Sequence, residues 1–98
     1  MAIIGKFRKQ ENGFDGHIET RLWHTAATIV KVAKKSQDKA PDYRVMAGRM
    51  EIGAAWSKTS EAGASYLSIT LDDPGFAAPI NCRLHASPEG YDLIWQRS

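Results

Sequence analysis

Residues 40–80 read APDYRVMAGRMEIGAAWSKTSEAGASYLSITLDDPGFAAPI, and the spacing of apolar residues in this stretch decides the fold class. Tyr66, Ser68 and Thr70 alternate with Leu67, Ile69 and Leu71, the period of two that a half-buried strand requires. Upstream, the runs from Tyr43 to Ala47 and from Met50 to Trp56 flank Gly48-Arg49. Glycine as the first of two turn residues suits a type II′ hairpin. Ser60 to Gly63 makes a longer turn. Asp72 to Pro79 carries two prolines and reads as an irregular loop. Its Asp72-Asp73-Pro74-Gly75 start is a turn sequence, in which Asp side chains accept backbone N–H groups.

The same pattern extends in both directions. Ile3–Arg8 and Phe14–Glu19 are joined across Glu11-Asn12-Gly13. Asn-Gly predicts a type I′ hairpin turn, because both residues tolerate positive φ. On the first strand Lys6 and Arg8 share one face, while Gly5, Phe7 and Lys9 share the other. Residues 26–34, AATIVKVAK, are ambiguous: the alanines permit a helix, whereas Thr28-Ile29-Val30 and Val32 are β-branched and favour a strand. The strand is the adopted reading. Lys34 to Asp42 is a polar loop closed by Pro41. At the C-terminal end, Ile80–Ala86 and Tyr91–Gln96 enclose Ser87-Pro88-Glu89-Gly90, a turn with proline second and glycine fourth. The expected fold is all-β: a small antiparallel barrel or sandwich of about eight short strands, forming a single domain over residues 1–98.

Composition narrows the function classes. The chain has 98 residues and a net charge of +2, distributed unevenly. Residues 1–49 hold ten Lys/Arg against five Asp/Glu; residues 50–98 hold three against six. The asymmetry reads first as a solvated charged surface; the alternative is a dipole that steers an anionic partner toward the N-terminal half. The single cysteine, Cys82, excludes an internal disulfide and fits a cytoplasmic location. There is no long apolar run of membrane-spanning length, and Met1–Lys6 has no signal-peptide pattern. In so small a domain, dimerisation across a sheet edge is an easy route to further burial, so a homodimer is an open expectation.

Catalytic and metal chemistry find little support. Cys82 and His85 are the only close pair among Cys82, His17, His24 and His85, and on a strand they point to opposite faces. A closed zinc site needs four ligands. No Gly-x-Ser-x-Gly elbow, phosphate-binding glycine loop or carboxylate cluster is present. The expectation is a non-enzymatic protein with no catalytic residue, metal or cofactor. Binding chemistry is better supplied. Lys6, Arg8, Lys31, Lys34, Lys35, Arg44 and Arg49 are candidates to line a basic groove, in which aromatic rings would stack on a single-stranded nucleic acid. Phe76, in a Pro-Gly-Phe-Ala-Ala-Pro loop, is either an exposed anchor for a protein partner or a cover folded over the barrel end. Trp56 and Trp95 end apolar strands and read as core or core rim.

Several blocks together carry a family resemblance: Ile4-Gly5-x-Phe7, Glu11-Asn12-Gly13-Phe14-x-Gly16, Ala40-Pro41-Asp42-Tyr43-Arg44-Val45, Glu51-Ile52-Gly53-Ala54-Ala55-Trp56, Tyr66-Leu67-Ser68, Leu71-Asp72-Asp73-Pro74 and Leu93-Ile94-Trp95. With these the chain resembles the bacterial domain-of-unknown-function family 736 almost end to end. The resemblance implies a small β-rich cytoplasmic protein carried on bacterial mobile elements, with no catalytic residue. It also implies a link to anti-CRISPR activity among relatives. The functional expectation is therefore a binding protein of a mobile element or phage, most concretely a protein inhibitor of a host CRISPR effector nuclease. The alternative is a single-stranded nucleic-acid-binding accessory of conjugation or plasmid replication with an OB-like barrel.

Overall fold

The computed structural model describes residues 2–21, 23–33 and 37–95. Eight strands follow one another: β1 (Ala2–Gln10), β2 (Gly13–Glu19), β3 (His24–Lys31), β4 (Tyr43–Ala47), β5 (Met50–Thr59), β6 (Ser65–Leu71), β7 (Ile80–Ser87) and β8 (Gly90–Trp95). Each pairs antiparallel with the next, and β1 pairs with β8, so the sheet closes into a barrel. Of the two architectures the sequence allowed, it is the barrel. The ambiguous 26–34 segment is strand as far as Lys31.

Closure gives every strand two neighbours. Among the described residues there is therefore no edge strand of the kind the dimer expectation pictured. The consecutive strand order is that of an up-and-down barrel. It differs from the five-stranded Greek-key order of oligonucleotide-binding barrels, which corrects the OB-like expectation.

Eight strands give an interior just wide enough to be filled by side chains. Here Phe7, Phe14, Ile18, Ile29, Val45, Ile69, Leu71, Leu84 and Leu93 fill it, and all are buried. Each large apolar side chain so buried contributes about 1.5–3 kcal/mol. Leu67, Ile69 and Leu71 point inward and Tyr66, Ser68 and Thr70 outward, as the alternation requires. Gly5 and Phe7 likewise face the core while Lys6 and Arg8 face solvent.

Two hairpin details differ from their sequence readings or refine them. At the first hairpin Gln10 pairs with Gly13, so the turn residues are Glu11 and Asn12. Neither has positive φ; Gly13 alone does, at 152°. The type I′ expectation is therefore corrected: glycine is needed one position later, where the chain re-enters the strand and Gly13 lies against the Ile29 carbonyl. At the β4–β5 hairpin Gly48 has φ 63°, in keeping with the expected turn.

Trp56 is the clearest correction to the core. It pairs with Ser68 on the outward side, while its neighbour Ala55 is the buried residue. Its indole Nε1 donates to the Lys39 carbonyl at 3.1 Å. An apolar run misled the reading, because alternation gives the inward positions to Gly53 and Ala55, leaving the larger Trp56 outside. Trp95, by contrast, packs against the core as expected.

Candidate binding surfaces

One end of the barrel gathers the β2–β3 connection, the β4–β5 turn and the loop from 72 to 79. Between them lies a cleft of about 760 Å³, lined by Trp23, His24, Thr25, Ala47, Met50, Ile52, Asp73, Gly75, Phe76, Ala77, Ala78 and Ile80. Its lining is mostly apolar.

Local backbone chemistry builds each wall. In the β2–β3 connection Thr20 N–H donates to the Trp23 carbonyl at 2.8 Å, and Trp23 N–H donates to Thr20 Oγ1 at 3.2 Å. This fixes the Trp23 ring at the rim. In the long loop Asp73 Oδ2 accepts from Gly75 N–H at 2.8 Å, and the Asp73 carbonyl accepts from Phe76 N–H at 2.8 Å. That is the aspartate turn the sequence predicted. It folds Phe76 back onto Trp23, with ring centroids 5.3 Å apart and planes 26° from parallel. Of the two readings of Phe76, the cover over the barrel end is the one adopted. The pair packs on the core beneath while its edge remains half-exposed.

The floor is set by a β-bulge. Val45 pairs with Gly53 but Met46 pairs with Glu51, so Ile52 is an extra residue in β5. Without it, strict alternation from Ala55 and Gly53 would turn Met50 and Ile52 outward. The bulge reverses the phase, a re-aiming that bulges commonly perform at barrel rims. Ile52 becomes buried, and Met50 stands at the cleft with 62% of its surface exposed. Met50 is the most exposed large apolar side chain among the described residues.

Among the described residues, the candidates chosen from sequence do not form one groove. Lys6 and Arg8 lie side by side on β1, but Lys6 Nζ is 2.8 Å from Asp92 Oδ1 and Arg8 is paired across the ladder with Asp15. The Asp92 hydrogen bond holds the Lys6 pKa above its ordinary value. Lys31 stands on β3, two strands from β1, and Arg44 on β4, three strands from it, where Arg44 Nε is 3.4 Å from Glu51 Oε1. Arg49 sits in the β4–β5 turn at the cleft end, and Phe76 is in the cleft. Lys34 and Lys35 lie outside the described residues. Cations and carboxylates thus interleave around β1–β4, a surface unlike a phosphate-binding groove.

Cys82 is buried in the barrel, and burial pushes its thiol up to about 12. A thiol so held is not a nucleophile at neutral pH. His85 faces the other side of β7. Among the described residues no group of three or more His, Cys, Asp or Glu is placed to hold a metal ion, and no helix is long and apolar enough to cross a membrane.

The chain matches the family model described as "Protein of unknown function (DUF736)" over residues 3–98. It belongs to the DUF736 family. No curated protein and no solved structure matches it. DUF736 membership extends over nearly the whole chain, so the barrel just described is the family's part of the molecule. The sequence reading missed Met50, whose position depends on a one-residue bulge, and the partnership of Trp23 with Phe76, 53 residues apart.

Proposed function

We propose that this DUF736 protein is a non-enzymatic binding module and that the barrel-end cleft receives an apolar segment of a protein partner. The observation that supports this reading is Met50. It is an unbranched, highly exposed side chain aimed into an apolar cleft already floored by Ile52 and walled by the Trp23–Phe76 stack. Methionine adapts its shape to irregular partners, and large apolar anchors dominate interface energies. The interleaved charges around β1–β4 favour a protein partner over a bare phosphate backbone on that side of the barrel. A cytoplasmic location on a mobile element and inhibition of a CRISPR effector nuclease are the most concrete form of the proposal; in that form the effector supplies the apolar segment.

The test is affinity capture from a host extract, including an extract containing the effector, with wild-type protein, Met50→Asp and Val30→Glu. Val30 is exposed at 40% but lies on the outer face of β3, away from the cleft. A partner retained by wild type and Val30→Glu but lost with Met50→Asp supports the cleft. A partner retained equally by Met50→Asp overturns it.

A further inference from the structure

The outward face of β5–β7 differs in kind from the rest of the barrel. Its positions from Ala54 to Lys58, Tyr66 to Thr70 and Asn81 to His85 hold no carboxylate, although the chain has 11. They hold two cations, Lys58 and Arg83, and three flat rings. Tyr66 and His85 are stacked with centroids 5.2 Å apart and planes 16° from parallel. The Arg83 guanidinium carbon lies 5.0 Å from the centre of the Tyr66 ring. Trp56 stands diagonally across from Tyr66, since Lys58 pairs with Tyr66 and Trp56 with Ser68. Its edge is held by Lys39, so the ring costs little entropy to use.

We infer that this face is a second binding site, for a short single-stranded nucleic acid. Tyr66 and His85 already cover one another, so the stacking surfaces offered to unpaired bases are the Trp56 indole and the outer side of that pair, and neighbouring cations take the phosphates. Three strands at about 4.8 Å spacing span room for roughly two nucleotides. Asp38 and Asp42 border the site beyond Trp56, and Asp42 Oδ2 already accepts Ser57 N–H at 2.9 Å. The site is separate from the barrel-end cleft and does not depend on it.

The test is fluorescence anisotropy of a labelled oligo-dT and a labelled oligo-U, titrated with the whole protein at two salt concentrations. Two phosphate contacts on a single strand give a log–log salt slope of about −1.4, so tripling the salt weakens binding about fivefold. Arg83→Glu and Trp56→Ala each weaken binding about tenfold, a typical loss for one stacked base or one phosphate contact. Lys31→Glu and Met50→Asp leave it unchanged. A duplex of the same length does not compete, because its base faces are covered. No binding of either oligonucleotide at about 0.05 M salt overturns the inference, as does full competition by duplex. Loss of binding on Lys31→Glu with none on Arg83→Glu also overturns it. The salt slope and the duplex competition use wild-type protein, so a variant that fails to fold leaves both readouts intact.

Discussion

Gly16→Ala isolates the strain that barrel closure puts on the backbone. Gly16 faces inward opposite Phe7, where β1 and β2 approach closely. A methyl group added there would fall on the Lys6 carbonyl oxygen and lie 2.8 Å from Phe7 Cα. Both obstacles are backbone, so neither can rotate away. β1 cannot simply withdraw, because its other edge is paired with β8. Overpacking of this kind costs about 1–3 kcal/mol, and the immobility of the obstacles places Gly16→Ala at the upper end. For a domain of this size about 3 kcal/mol lowers the melting temperature by about 12–24 °C. Gly48→Ala is the matched comparison: nothing lies within 4 Å of the added methyl, and only the φ of 63° is unfavourable. That conformation costs about 1–2 kcal/mol. Thermal melts followed by circular dichroism should rank wild type above Gly48→Ala and Gly48→Ala above Gly16→Ala. A Gly16→Ala melt within about 4 °C of wild type would refute the close approach of β1 and β2.

Two further outcomes follow from burial. Trp56→Ala should cost about 2 kcal/mol, from one hydrogen bond and the partly buried indole, rather than the 3–5 kcal/mol of a core tryptophan; a denaturant midpoint shifted by the larger amount would return Trp56 to the core. Cys82 should resist a thiol reagent at pH 8 in the folded protein and react fully in denaturant. Its folded thiol keeps its proton up to about 12 while the unfolded thiol releases it near 9.0. Between those values the unfolded chain binds fewer protons, so Cys82 makes stability fall as pH rises through that window. Urea titrations of wild type and Cys82→Ala from pH 8 to 11 should show a steeper decline for wild type.

The strands were legible because alternation over Leu67–Leu71 and glycine-marked turns are local signals. Closure was not, since the β1–β8 pairing joins the chain's two ends and leaves no local mark. Alternation failed where a bulge shifts its phase. At β1 the register shift between Ile3 and Gly5 turns Ile4 toward the core and leaves Ile3 56% exposed. At β5 the bulged Ile52 brings Met50 into the cleft. Trp56 was misread for a different reason: an apolar run suggests burial, but the inward side of β5 at that level belongs to Ala55. The described basic candidates are spread over several strands, because charge totals in sequence halves say nothing about which strands neighbour each other. Lys6 meets Asp92 only across the closing ladder.

Methionine methyl resonances offer the most direct measurement. With methyl-labelled methionine, Met50 reports from the cleft and Met46 from the outward side of β4, only four residues away. On addition of a host fraction containing the binding partner, the Met50 methyl should shift or broaden while the Met46 methyl stays in place. Movement of Met46 with an unchanged Met50 would contradict it.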